Sequence, residues 1–361
     1  MKKNLAIQDH AYSDTIFNKK ILMCGPPLPP PYGGISVHFQ SVKHKFEQQG
    51  NSVYLHNTLV NYRYRWYSRY LFKLACRLFS IRPDVVYYHT LSLPKSDYEL
   101  KLLVLFKRLF GFRIVTVDHD CLHLLKRPAK FRHALNKLVP FIDQQVLIGD
   151  STYQSYCDAN IAAAGTVSVE RAFVAPSSIS GYVPVAEVPD GFDRFRATHS
   201  PLITLESTRL VFLDGRDLYG VDTALEVMKE LKKELPSVGL VCLVGTIDEP
   251  DYYDTLCARI VEYGLQDSVL MLNGIYQLWP ILHKTDLLLR PTLCDGASVS
   301  EDEAHYLGIP VVASDVCLRH SKTITYTSGS VDDCRIKVSR VFEHGINKQS
   351  SLPKQINQAQ L

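Results

Sequence analysis

Two carboxylates, Asp295 and Glu303, stand eight residues apart in the stretch DLLLRPTLCDGASVSEDEAHYLGIPVVASD, which runs from Asp286 to Asp315. A carboxylate is a natural acceptor for sugar hydroxyls. Gly296 follows the first acid and lets backbone come close to a ligand. Ala297, Ser298 and Val299 come next, where a helix opens, and the free amides of a helix start favour an anion such as a diphosphate. One short element could therefore hold a nucleotide sugar from both ends.

The elements that must position these residues are legible from the same stretch. Asp286 to Arg290 is a short apolar run closed by Pro291, and Val311 to Ser314 is another that opens after Pro310. Ser298 has Glu301 three residues on and Ser300 has Glu303, the spacing of a capping box, so a helix starts near one serine or the other. Gly308 followed by Pro310 stops it. Two apolar strands joined by one helix make a βαβ unit, which places the loop from Pro291 to Ala297 at a strand's carboxyl end. That edge is where open α/β sheets bind ligands.

With these residues in view, the chain resembles the retaining GT-B glycosyltransferases of glycosyltransferase family 4. Their Glu-x7-Glu motif and Pro-Val-Val-Ala strand stand here as Asp295-Gly296, Glu303-Ala304 and Pro310-Val311-Val312-Ala313. The first acid is Asp, and with Ser298 it resembles an Asp-Gly-x-Ser branch of the family. The resemblance implies an α/β, GT-B fold, in which two Rossmann-like domains with parallel sheets face each other across a cleft. It implies Asp295 on sugar hydroxyls, the amides of Ala297 to Val299 on the sugar or its phosphate, and Glu303 on the ribose. Three other places resemble the family. Gly33-Gly34, between a first strand and a first helix, look like the turn that faces the donor diphosphate; the same pair would also serve a plain tight turn. His119, followed by Asp120, stands where a histidine sits beside the anomeric carbon, so His119 and Asp295 are the expected catalytic pair. Arg216 stands where an arginine clamps the diphosphate. The companion Lys is missing: Tyr219 precedes Gly220, with Arg290 and Arg319 as possible stand-ins.

Residues 61–82, NYRYRWYSRYLFKLACRLFSIR, carry Arg63, Arg65, Trp66, Arg69, Lys73 and Arg77 among Tyr, Leu and Phe at helical spacing. Basic residues interleaved with Trp and Tyr suit a helix lying in a bilayer interface. They also suit a core helix with solvated arginines, or a nucleic-acid patch with stacking aromatics. Leu102 to Arg113 and Leu122 to Lys137 add further basic and apolar surface, which favours the membrane and leaves no nucleic-acid partner expected.

The net charge of +3 conceals an asymmetry: residues 1–186 hold 23 Lys and Arg against 12 Asp and Glu, the rest 17 against 25. A basic half and an acidic half suggest two domains with different partners. The expected organisation is a membrane-facing, acceptor-binding domain over 1–186, a linker over 187–206 rich in Pro and Gly, a nucleotide-sugar domain over 207–346, and a polar tail over 347–361. Hydrophobic residues make up 46% of the chain without an apolar run near membrane length, and the start lacks a signal-peptide core, so a cytoplasmic protein peripheral at the inner membrane face is expected. Nine cysteines scattered singly read as reduced thiols. His38, His89 and His123 show no ligand spacing, and neither a metal nor another cofactor is expected. No Gly-x-Gly-x-x-Gly follows a strand, which argues against a dinucleotide oxidoreductase. The expected reaction moves a hexosyl group from a nucleoside diphosphate sugar to a hydroxyl of a lipid-linked glycan precursor, with retention. The resemblance implies a same-face route in which the leaving phosphate helps to deprotonate the acceptor. The rivals are a nucleotide-sugar hydrolase or epimerase, and a weakly catalytic scaffold subunit.

Overall fold

Short runs of β-branched and aliphatic residues alternate with amphipathic helices along the whole chain, and this rhythm builds two units, one to Tyr182 and one from Val183. The computed structural model describes residues 16–29, 34–58, 64–89, 96–119, 123–162, 164–175, 188–274 and 276–343. The expected tail over 347–361 lies outside them.

In the first unit the elements run β1 (Lys20–Gly25), α1 (Gly34–Gln48), β2 (Ser52–Asn57), α2 (Tyr64–Ile81), β3 (Val85–His89), α3 (Ser96–Phe110), β4 (Arg113–Asp118), α4 (His123–Lys126), α5 (Ala129–Leu138), β5 (Gln144–Ile148), α6 (Asp150–Asp158) and β6 (Thr166–Glu170). The sheet has the order β2-β1-β3-β4-β5-β6, with every pairing parallel. Strand β3 is buried along its whole length, as a run covered by helices on both faces must be. Leu22, Val86, Ile114 and Leu147 on one face pack with Leu74 and Leu78 of α2 and Leu100 and Leu103 of α3. Chain order reverses between β1 and β3, so the ligand edge lies at Gly25 and His89. A Cβ on Gly25 would stand 2.6 Å from the Phe39 ring, so only glycine lets α1 come down onto that edge. The chain from Phe173 to Ala175 is irregular, and the last strand is β6, whose Thr and Val residues suit an edge position.

The second unit runs α7 (Phe192–Thr198), β7 (Leu202–Leu210), β8 (Phe212–Leu213), β9 (Arg216–Asp217), α8 (Val221–Glu234), β10 (Gly239–Ile247), α9 (Pro250–Glu262), β11 (Val269–Asn273), α10 (Trp279–Leu282), β12 (Leu287–Arg290), α11 (Val299–Tyr306), β13 (Val311–Ser314), β14 (Ile324–Tyr326) and α12 (Val331–Glu343). Its sheet is again parallel, in the order β11-β10-β7-β12-β13-β14. Here the expected linker over 187–206 is overturned. Residues 192–198 are helix and 202–210 form a central strand, whose Leu202, Ile203, Leu205 and Leu210 are buried. Polar residues hide this strand in the sequence, and they are satisfied inside: Thr204 Oγ1 lies 2.7 Å from Thr285 Oγ1. The second unit's sheet therefore begins at Leu202, before the expected opening at 207. Its order reverses between β7 and β12, which puts the loop after Arg290 at the switch point.

Candidate functional site

Helix α11 forms as its sequence dictates. Ser298 is extended, and its hydroxyl accepts a hydrogen bond from the Glu301 amide at 3.2 Å. Gly308, at φ 71°, follows the last turn in the left-handed region that favours glycine. The Glu301 carboxylate accepts from Arg319 Nη1 at 3.3 Å, the His320 amide at 2.8 Å and Thr323 Oγ1 at 2.6 Å. Helix α11 is thereby tied to the segment that follows β13. Gly220, at φ 71°, brings the start of α8 to the same edge, because a Cβ there would lie 2.3 Å from the Pro291 carbonyl oxygen.

Asp295, the first acid of the pair, sits between two arginines. Its Oδ2 accepts from Arg290 Nε at 3.2 Å, Arg290 Nη2 at 2.9 Å and Arg319 Nη1 at 2.8 Å. Burial alone would raise its pKa, but the two guanidinium groups hold it below the usual carboxylate range. Arg290 Nη1 also donates to Ser300 Oγ at 2.6 Å and to Glu206 Oε2 at 3.3 Å. Arg319 donates from Nε to the Ser314 carbonyl at 2.9 Å and from Nη2 to Thr292 Oγ1 and Ser314 Oγ, each at 3.3 Å. Both arginines are buried among protein acceptors, and that commitment weighs against either acting as a free diphosphate clamp.

Glu303 behaves differently. Burial, the charge of Glu206 and that of Asp302 push its carboxyl up to about 8, so it is largely protonated at neutral pH and can donate as well as accept. Glu206 is the site residue that the linker assignment missed, and the only local signal for it is a strand of β-forming residues, LITL, before it. Tyr219, in the place of the missing Lys, joins this group: its hydroxyl is raised by burial and by Glu206, with Thr208 as hydrogen-bond partner. The start of α8 is occupied internally, since the Asp217 carboxylate accepts from the amides of Tyr219, Gly220 and Val221 at 2.9–3.1 Å. Arg216 is exposed on the β8–β9 hairpin, with its guanidinium against Gly329. Arg209, a second exposed arginine at the end of β7, pairs with Asp248 at 2.7 Å. The predicted residues Asp295, Gly296, Ala297, Ser298, Val299 and Glu303 are thus gathered on one loop and helix at the switch point, while Arg216 stands on a neighbouring hairpin.

The first unit's ligand edge carries His119 after β4, His89 at the end of β3 and His38 in α1. Their rings meet edge to face or stacked, with centroids 4.8 Å (His38 and His119), 5.5 Å (His38 and His89) and 5.7 Å (His89 and His119) apart. Burial lowers all three pKa values, His119 to about 3, and the neighbouring rings lower those of His38 and His89 further. All three are neutral imidazoles. Nε2 of His119 is buried with no hydrogen-bond partner among the described residues. The sequence considered His38 and His89 together with His123, whose side chain lies outside the described residues; in the fold the ring packed against both is that of His119. Among the described residues no set of three or more His, Cys, Asp or Glu is arranged to hold a metal ion. Gly34 opens α1, whereas Gly33 and Asp120 lie outside the described residues.

Helix α2 presents Arg69, Lys73, Arg77, Phe72 and Phe79 to solvent, the last two at 70% and 61% exposure. Leu105 and Leu109 of α3 are exposed as well, and Arg82 lies over the rings of Phe79 and Phe110 at 5.7 Å. Arg63 lies outside the described residues; Arg65 and Trp66 belong to α2, but their side chains lie outside them too. No described helix is long and apolar enough to cross a membrane.

Comparison with known proteins places these features in context. Residues 206–331, which contain Glu206, Arg290, Asp295, Glu303 and Arg319, match the family model Glycosyl transferases group 1. The lipopolysaccharide glucosyltransferase WaaG of Escherichia coli (strain K12) is 28% identical over 114 residues, which is 31% of this chain and 29% of that protein. The match thus spans under a third of that relative's length. Among solved structures, Anabaena HepE in complex with UDP superposes with a TM-score of 0.67 at 15% identity, covering 91% of each chain. The sucrose-phosphate synthase of Thermosynechococcus elongatus gives 0.66 at 12% identity over 90% of each chain. These likenesses show the fold, GT-B with two Rossmann-like units, as the sequence led one to expect.

Proposed function

We propose that this protein is a glycosyltransferase that moves a hexosyl group from a nucleoside diphosphate sugar to a hydroxyl of a lipid-linked glycan precursor, with retention of configuration. The observation that carries the reading is the acid-bearing loop and helix from Asp295 to Glu303, at the switch point of a parallel sheet and inside the segment that matches the glycosyl transferases group 1 model. A UDP-bound structure and a glucosyltransferase among the similar proteins support a UDP-sugar as the first donor to try. In this reading the amides of Gly296 to Val299 approach the sugar and its phosphate, Asp295 orders the sugar side of the loop, and Glu303 meets the ribose. Arg216 approaches the diphosphate. His119, held neutral, offers a lone pair or an N–H to an acceptor hydroxyl without competing for a proton. No metal or other cofactor enters the scheme.

The exposed Phe72, Phe79, Leu105 and Leu109 among Arg69, Lys73 and Arg77 support docking of the first unit on an anionic membrane surface, at the cytoplasmic face where nucleotide sugars would be met. Incubation of the purified protein with UDP-glucose and a membrane extract tests the whole reading: glucose incorporated into a lipid-extractable product is expected. Release of free glucose alone would favour a hydrolase.

One specific feature favours a second reading, a weakly catalytic subunit of a glycan-assembly complex. Tyr219 replaces the Lys, and Asp217 fills the start of α8, so the diphosphate meets fewer donors than its developing charge calls for. Tight UDP-glucose binding with no turnover on any extract would select it.

A further inference from the structure

Arg290 and Arg319 are two guanidinium ions in the interior of the second unit. Arg290 ends the run Leu287-Leu288-Leu289, and both arginines are less than 10% exposed. Desolvating two such ions opposes folding even when they are paired, and shape-matched apolar residues often serve stability as well or better. Their presence is therefore better explained by what they hold. A guanidinium has five N–H donors, and all five of Arg319 are directed at protein acceptors, namely the Ser314 carbonyl, Asp295, Glu301, Thr292 Oγ1 and Ser314 Oγ. Arg290 has four so placed, two on Asp295 and one each on Glu206 and Ser300. Arg319 cannot reach a phosphate without giving up internal bonds, and Arg290 keeps a single N–H beyond its own. They share one oxygen, Oδ2 of Asp295.

We infer that Arg290 and Arg319 are positioning residues for sugar transfer, which clamp Asp295 from two sides and so fix the irregular loop 291–298 in its ligand-binding shape before the donor arrives. The inference rests on the donor reading above and refines it: Asp295 serves first as the anchor of the loop. The clamp gathers the end of β12 (Arg290), the loop after it (Thr292), the end of β13 (Ser314), the strand β7 (Glu206) and the start of α11 (Ser300, Glu301). The Gly296 to Val299 amides lie between these fixed points. Asp is one carbon shorter than the Glu of the related motif, and here it meets the guanidinium groups at 2.8–3.2 Å.

The test uses Arg319→Lys and Arg290→Lys, which keep the charge but lose the planar fork. Calorimetry with UDP and with UDP-glucose separates nucleotide binding from the increment due to the sugar. In each variant the UDP affinity is expected to stay within about twofold of wild type, while the extra affinity for UDP-glucose falls by roughly tenfold; turnover should fall by about 100-fold, the scale of a small misplacement at a reacting centre. Faster hydrogen exchange at Gly296 to Val299 should accompany the loss. A role in stability alone predicts a lower unfolding midpoint with the sugar increment and the exchange rates unchanged, and that result would overturn the inference. If Arg319→Lys does not fold, Arg290→Lys carries the same comparison. Wild-type protein that binds neither UDP nor UDP-glucose ends the donor reading itself; wild type that binds both equally ends only the clamp.

Discussion

The two parallel sheets present their ligand edges in opposite electrostatic styles. At the first edge three imidazoles, His38, His89 and His119, are packed ring against ring and kept neutral by burial. At the second edge Arg290, Arg319, Asp295, Glu206 and Glu301 form a continuous network of ions. Both edges arise from the same topology, in which the strand order reverses beside the first strand of each unit. Topology thus decides where a ligand sits, and the residues at the strand ends decide how it is held. An uncharged edge can exchange a hydrogen bond with a neutral hydroxyl. A cross-linked ionic edge holds a loop in place for an anionic, polyhydroxylated ligand.

The comparison can be broken most forcefully at Arg319. Replacing it by Met leaves Asp295 and Glu301 facing each other without their shared partner, and loss of about 3–5 kcal/mol in denaturant-induced unfolding is expected, the scale for breaking a buried ion pair. His119→Phe at the other edge breaks no charge pair and should change stability by roughly 1 kcal/mol. Equal costs at the two edges would mean that the ionic network holds the second edge no more firmly than the packed imidazoles hold the first.

Catalysis comes next in size. Glu303→Ala is expected to lower transfer from UDP-glucose by roughly 100-fold, or about 2.7 kcal/mol, with circular dichroism unchanged. Full activity would remove Glu303 from the site.

The pH dependence sharpens the contrast. Glu303 titrates near 8 in the fold and near 4.5 when unfolded, so its contribution to stability is complete below about 4.5 and is lost as pH rises through 8. The buried Glu99, which accepts from Tyr88 Oη at 2.5 Å, is raised to about 7 and acts in the same direction. Subtracting the profile of Glu303→Gln from that of wild type isolates the first term. The histidines act in the opposite sense: with folded values below 6.5, they contribute fully above that pH, and the contribution is lost as pH falls through the folded values, about 3 for His119. His38→Phe should flatten the acid limb and Glu303→Gln the alkaline limb, as read from unfolding midpoints between pH 4 and 9.

The smallest effect is at the surface. Arg69→Ala, Lys73→Ala and Arg77→Ala should each weaken binding to anionic vesicles by about 1 kcal/mol, and added salt should weaken the wild type in the same way. Equal partitioning onto neutral vesicles would argue against an electrostatic dock.

What the sequence revealed follows from how local each signal is. The cap at Ser298, the stop at Gly308 and the apolar runs on either side are set within a few residues, so the βαβ unit and its loop could be read directly. Strand β7 could not, because Thr204, Glu206, Thr208 and Arg209 interrupt its apolar pattern, and their partners lie far along the chain: Thr204 meets Thr285, and Glu206 meets Arg290. The pairing of Arg319 with Asp295 spans 24 residues and two elements, and no periodicity announces it. His38, His89 and His119 come from three elements that only the folded sheet brings together. Local chemistry was thus legible, and the long-range charge pairing that gives it shape was not.

The central claim is that the loop and helix start after β12 receive an activated sugar, and amide hydrogen exchange with UDP-glucose tests it most directly. Slower exchange at Gly296, Ala297, Ser298 and Val299 in saturating UDP-glucose, beyond any protection given by UDP, is the predicted result. UDP-glucose that binds while these four amides exchange at their unliganded rates would contradict the account.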